Sequence, residues 1–308
     1  MTAAPEPRPI AASPPATLSE LRDLAVAISR GEAQVTLGAK THSALGRILD
    51  LTGNPALLSI TTLAEVLGVH PSTLTRLATA LGYSGFPALQ KVLLSASMAA
   101  PGEFYSRQAR AALETGSSSR AQAARLCREN QANIDRFLDG FEERSFEAAV
   151  EMIMSAPRVA VYGIRQFHAV ASFLVYGLRM IRSDVSLIDS NSLGVAESLS
   201  MMGDGDVLVS ASCAPYSRQV VDVAAAARRN GLSTVAITDR ASSPLVDSSC
   251  AAILCPHDSS FLSNSIGAFM VATECLINAC AAARPEAARR ALRERDRMIA
   301  EMGVERDG

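Results

Sequence analysis

SITTLAEVLGVHPSTLTRLATALGYSGFPALQK, residues 59–91, reads as two short helices around a tight turn. Ser59 to Leu67 has the length of a short helix. Gly68 follows it, and glycine takes the left-handed backbone that ends a helix at no steric cost. Pro71 opens the next helix, where no amide donor is needed. Leu63, Ala64 and Val69 suit the seam between the helices, and Leu74 and Leu77 supply the inward face of the second. Ser72, Thr73, Thr75 and Arg76 are left on or near its outward, N-terminal part. A helix with short polar side chains at its front fits the DNA major groove, about 12 Å wide. Hydroxyls there can meet phosphates or base edges, and an arginine can be bidentate to guanine. Lys91 is placed to meet a flanking phosphate. A generic helical hairpin with a polar face would read the same way. The charged residues between 60 and 91 are Glu65, Arg76 and Lys91, a net of +1. One such module holds DNA weakly, so operator binding calls for a homodimer or homotetramer that uses two half-sites.

Outward from this stretch the helical pattern continues. Residues 1–17 carry five prolines and read as a disordered tail. Leu18 to Arg30 and His42 to Leu51 read as helices before the turn motif, and Pro87 to Met98 as one after it. A Pro-Gly pair and a Gly-Ser-Ser-Ser run mark an interdomain connection at 101–120, and Ala121 to Met154 reads as one or two long helices. The division is therefore a tail (1–17), a helical DNA-reading domain (18–100), a linker and connector helix (101–130), a second domain (131–283) and a C-terminal helix and tail (284–308).

After Ala156 the pattern changes. Short apolar runs begin at Arg158, Asp184, Asp206, Ser233 and Cys250, with helical segments over 169–181 and 217–229 and a short helix from Ser243 to Val246. Strands alternating with helices at this spacing form a parallel sheet covered on both faces. Ligands of such sheets bind at the carboxyl ends of the strands, beside helix N-termini that favour anions. The loops with that location are Gly163 to His168 and Ser210 to Arg218.

The 308 residues suffice for two domains, and 48% hydrophobic against 19% charged excludes a disordered chain. A net charge of −2 argues against a surface that coats nucleic acid throughout. The N-terminus lacks the apolar core of a signal peptide, and the apolar run from Ile266 to Ala283 is broken by Glu274 and Asn278. A cytoplasmic protein with no membrane span is expected. The six cysteines form no CxxC pair, and they read as buried small hydrophobes of a reducing compartment.

The run from Ser59 resembles the helix-turn-helix domain of RpiR-type transcriptional regulators, whose pattern is S-I-x-x-L-A-x-x-x-G-V-S-x-x-T-V-x-R followed by L-G-Y-x-G-F. Ser59, Leu63, Ala64, Gly68, Val69, Thr73, Arg76, Leu81, Gly82, Tyr83, Gly85 and Phe86 match. His70 departs from the usual Ser or Asn cap, and Leu77 from a common Phe. A cap-like role for His70 competes with a phosphate contact. Residues from about 130 to 283 resemble the sugar isomerase (SIS) domain that accompanies this helix-turn-helix. Gly163, Ser212 and Ser217 match its loops, and ITDRASSPL at 237–245 matches a mainly structural segment. Arg165 and Phe167 replace a glycine and a serine of the first loop; Ala214 and Pro215 replace a serine and a glycine of the second. These exchanges remove phosphate donors, while Arg165 adds a cation suited to phosphate or carboxylate. The resemblance implies an all-α helix-turn-helix domain followed by an SIS-like α/β domain. It also implies operator DNA and a small anionic metabolite, a phosphosugar, as partners. His70, Ser72, Thr73, Thr75, Arg76 and Lys91 are the DNA-binding candidates. Gly163, Arg165, Ser212 and Ser217 are the ligand candidates, with capping and turn formation as the alternative role of the two serines.

Two other classes stay open: a phosphosugar isomerase-type enzyme, and a regulator whose altered SIS domain binds nothing and serves dimerisation. Isomerisation needs a positioned acid and base. Glu197, His168, His257 and Glu274 are the candidates, but no catalytic motif, P-loop or dinucleotide fingerprint surrounds them. No catalytic residue, cofactor or metal is expected. The tail from Arg284 to Gly308 has seven Arg against six Asp and Glu, reads as a solvated helix, and is expected to pack on a partner through Leu292, Met298 and Ile299.

Overall fold

Thr17 and Glu20 open the first helix, α1 (Leu18–Ser29), as a capping pair: the Thr17 hydroxyl accepts from the Glu20 amide, and the Glu20 carboxylate accepts from the Ala16 amide. A computed structural model describes residues 14–29, 33–51, 57, 59–95, 104–113, 118–189 and 194–304. The chain divides into two compact units, Met1–Phe104 and Tyr105–Gly308.

The first unit is all helical among its described residues: α1, α2 (Ala39–Asp50), α3 (Ile60–Leu67), α4 (Pro71–Ala80) and α5 (Phe86–Ser95). Ser59 caps α3, accepting from the Thr62 amide, and Gly68 ends it with φ 65°. Arg47 of α2 donates to the Val66 and Leu67 carbonyls, the second at 2.6 Å. A cation thus meets the negative end of the α3 dipole. Leu45, Ile48, Leu63, Leu74, Leu77, Leu89 and Leu93 are fully buried together. Order reaches upstream of Leu18, since the Tyr83 hydroxyl donates to the Pro15 carbonyl at 2.7 Å. Leu77→Ala should cost about 2–5 kcal/mol, the usual range for emptying a closed leucine site, read as a lowered denaturant midpoint.

The stretch read as a linker holds α6 (Phe104–Leu113) and the first part of α7 (Ser119–Asp139). The long helical stretch after it is two helices, α7 and α8 (Glu143–Ser155). Then β1 (Val159–Tyr162), α9 (Phe167–Arg179), β2 (Val185–Leu187), α10 (Val195–Ser200), β3 (Val207–Ala211), α11 (Arg218–Arg229), β4 (Ser233–Thr238) and β5 (Ala251–Leu254) alternate. The short helix expected from Ser243 is a single 3-10 turn at Val246–Ser248. α12 (Gly267–Ala283) and α13 (Pro285–Met302) follow.

All five strands are parallel, in the order β2-β1-β3-β4-β5. β1 and β3 are buried throughout, so they read as short apolar runs, broken in β3 by Ser210. α8, α9 and α12 cover one face and α11 with α10 the other. Gly177 of α9 lies where a side chain would run into Ile277 of α12, so a glycine sets that close approach. Asp206 fixes the entry to the sheet: its carboxylate accepts from the Arg158 and Gly203 amides and pairs with the Arg158 guanidinium at 2.7 Å. At the far edge, Ser145 of α8 both donates to and accepts from the backbone of Ala252 in β5.

The cysteine expectation holds for half of the set. Cys213, Cys255 and Cys280 are buried, and burial pushes their thiols up, the last to about 12. Cys127, Cys250 and Cys275 are exposed, because they fall on outward helix positions or just before the last strand. All six are free thiols.

Candidate functional site

The N-terminal face is set by the cap of α4. His70 is its N-cap, and its Nδ1 accepts from the Ser72 amide at 3.3 Å and meets the Ser72 hydroxyl at 2.9 Å. The imidazole therefore does what a Ser or Asn cap does elsewhere. Ser72, Thr75 and Arg76 are exposed, while Thr73 is half-buried. The Thr75 and Thr79 hydroxyls and the Arg76 Nε bond back to carbonyls one turn earlier, which holds these side chains along the helix. Lys91 is exposed on α5. α4 carries no acidic residue, so its outer face offers donors and hydroxyls to an anionic surface.

The second site follows from the strand order. β1 and β3 are neighbours, but their connections leave to opposite faces, through α9 and α11. The crevice between them is the topological switch point at which open sheets bind ligands. Gly163 is buried on one side of it; an added Cβ would lie 2.5 Å from the Phe167 carbonyl, so the tight turn into α9 needs a glycine. On the other side, the buried Ser212 hydroxyl accepts from the Ser217 amide at 3.3 Å. Ser217 is the N-cap of α11, yet its own hydroxyl makes no cap bond. Ser212 thus forms the turn, and the α11 N-terminus faces the crevice beside it. Arg165 is exposed with φ 58°, and its guanidinium donates to the Tyr105 hydroxyl and lies 5.1 Å from that ring's centre.

Two groups escaped the sequence reading. The Tyr162 and Ser210 hydroxyls sit opposite each other in register at the ends of β1 and β3. Both are buried without a well-formed hydrogen bond, with Gln219 of α11 alongside Tyr162. The available signal is a hydroxyl near the C-terminal end of an apolar strand, at the last position of β1 and the last but one of β3.

The other is a charged cluster at the ends of β3, β4 and β5. The Asp239 carboxylate, 3% exposed, accepts from the Tyr216 hydroxyl at 2.8 Å and from Arg240 at 2.7 Å, and lies 3.3 Å from His257 Nε2. Burial alone would raise its pKa. The His257 hydrogen bond, the Arg240 charge and the Tyr216 bond outweigh it, holding Asp239 well below the usual carboxylate range. Burial, then the Asp239 charge, push the Tyr216 phenol up. Of the acid–base candidates, His257 is committed to this cluster, and Glu197, His168 and Glu274 are exposed. Among the described residues no group of three His, Cys, Asp or Glu could hold a metal, and no helix is long and apolar enough to cross a membrane.

The loop after β5 is tied to α7 and to the first crevice loop. Glu129 accepts from the Ser260 amide and hydroxyl, and Arg136 pairs with Asp258 at 2.8 Å. Ser263 donates to Gln166 at 2.8 Å.

Comparison with known proteins finds resemblance in sequence and in fold. Residues 152–279 match the SIS domain family. The chain is 27% identical over 207 residues to the HTH-type transcriptional regulator HexR of Pseudomonas aeruginosa, covering 65% of this chain and 68% of that protein. The sugar isomerase domain of an RpiR transcription factor from Sphaerobacter thermophilus superposes with a TM-score of 0.54 at 27% identity, covering 57% of this chain and 98% of that one. The NanR protein of Vibrio vulnificus, solved with ManNAc-6P, shares the fold at a TM-score of 0.53 and 18% identity, over 91% of this chain and 98% of its own. Residues 152–279 thus match an SIS domain, and the chain is similar to an HTH-type transcriptional regulator and to the sugar isomerase domain of an RpiR transcription factor.

Proposed function

We propose that the protein is a DNA-binding transcriptional regulator whose SIS domain senses a sugar phosphate or a related anionic metabolite. The observation that carries this reading is the pairing of an acid-free reading helix, α4, with a switch-point crevice in the SIS domain. Ser72, Thr73, Thr75 and Arg76 face the operator, with Lys91 on a flanking phosphate and His70 holding the cap. Gly163 lets a phosphate approach the backbone, and Arg165, Ser217 and the α11 N-terminus supply cation, hydroxyl and amides. A homodimer or homotetramer presents two reading helices to two half-sites. The protein acts in the cytoplasm, where its free cysteines stay reduced, and it is a sensor without catalytic activity.

Sequencing the DNA retained by the purified protein tests the first half. The expected result is enrichment of a two-fold-related sequence; unselective retention would remove the operator reading. Sugar phosphates, N-acetylmannosamine 6-phosphate among them, test the second half. A ligand at 100 times its Kd adds about 2.7 kcal/mol of stability and shifts operator affinity by about 5–150-fold. The non-binding SIS reading has one observation in its favour, the use of the Ser212 hydroxyl by its own turn. A flat thermal profile across the panel, with dimerisation intact, would select it.

A further inference from the structure

We propose that Arg165 is a two-position switch. In this structure it is held by Tyr105 of α6; an anion in the β1–β3 crevice takes it from Tyr105 and so releases α6. The inference rests on the reading of that crevice as an anion site.

Arg165 is the one non-glycine residue with positive φ among those described. Residues with a Cβ avoid that region, and departures from it cluster at ligand clamps and switches. The loop backbone around it is fixed. The Phe167 and His168 amides bond back to Ile164 and Arg165, Gln166 holds Ser263, and Phe167 packs edge-on against Phe269. The long side chain is therefore the part free to change partner. Its present partner is the first residue of the C-terminal unit, and Phe104 before it ends the unit that carries α4. Both side chains are exposed. A cation–π contact in water is weak, whereas guanidinium and phosphate form a charge-assisted, bidentate pair. A phosphate in the crevice thus competes on favourable terms. A ligand that binds the released arrangement better shifts the population toward it, and α6 carries that shift to the chain leading into the DNA-reading unit.

Hydrogen exchange on the full chain tests this, with thermal unfolding read in parallel. In Arg165→Ala the α6 amides should exchange at least about fivefold faster than in wild type, with an unchanged circular dichroism spectrum. Tyr105→Phe, which keeps the ring and loses the hydroxyl, should fall between. Inorganic phosphate and N-acetylmannosamine 6-phosphate are the probes. A probe that stabilises wild type should raise α6 exchange to the Arg165→Ala level and leave the variant's exchange unmoved. Wild-type exchange rates in Arg165→Ala would overturn the latch. A probe that stabilises wild type without moving α6 would overturn the switch and leave the crevice reading standing. If no probe stabilises wild type while Arg165→Ala still loosens α6, the crevice reading fails and the anion-driven step with it.

Discussion

Arg76→Ala is expected to abolish selective operator binding while leaving fold and oligomer unchanged. Arg76 is exposed, and its one hydrogen bond is to the Ser72 carbonyl of its own helix at 3.4 Å. Exposed sites of that kind change stability by less than about 0.5 kcal/mol. On the reading of α4 as the recognition helix, truncation removes a side chain proposed to reach base edges, at about 1–3 kcal/mol for each bidentate contact. Every copy in a dimer carries the change, so the loss is about 2–6 kcal/mol, or at least tenfold in Kd at fixed salt. Fluorescence anisotropy on the retained sequence and on a scrambled duplex reads it. Lys91→Ala should behave differently, weakening both duplexes alike and lowering the salt slope by about one per copy. Undiminished selectivity in Arg76→Ala at physiological salt would remove α4 as the reading helix.

Asp239→Ala should destabilise the C-terminal unit strongly, by about 3–5 kcal/mol. It leaves the Arg240 guanidinium, 12% exposed, without the carboxylate it meets at 2.7 Å, and removes a partner from the half-buried Tyr216 hydroxyl and from His257. The pH dependence identifies the cause. Asp239 has a folded pKa below its ordinary 3.8. Its contribution is therefore complete above that value and lost as pH falls through the folded pKa. Wild-type stability should drop steeply below about pH 4, and Asp239→Asn should flatten that drop while lowering the plateau at neutral pH. Equal acid slopes in the two proteins would show that the carboxylate does not carry this stability.

Much of this was legible in the sequence because it is local. The α3–α4 turn is written in Ser59, Gly68 and Pro71, each a cap or stop with its own backbone reason. The strands of the sheet are short apolar runs ended by glycine or a polar residue, and parallel burial explains their lack of alternation. What escaped depends on distant parts of the chain. Tyr216, Asp239 and His257 meet only because β3, β4 and β5 end side by side, and no spacing rule links them. Arg165 reads in sequence as a cation for the ligand, but its partner Tyr105 lies 60 residues earlier, in a helix where Pro-Gly and serines read as a connector. Ser212 suits both a ligand contact and a turn in sequence, and the structure shows the turn bond, from the Ser217 amide. His70 shows a substitution that keeps its function, since a ring nitrogen can accept an amide as a serine oxygen does.

Ser145 has a consequence for crowded conditions. A terminal strand in a parallel sheet exposes peptide groups that recruit strands from other molecules. At Ala252 both groups of that rim are already engaged by one hydroxyl, at 2.8 and 2.9 Å. Ser145→Ala would open this rim, so the variant should aggregate sooner than wild type at equal concentration, even where its melting temperature barely moves.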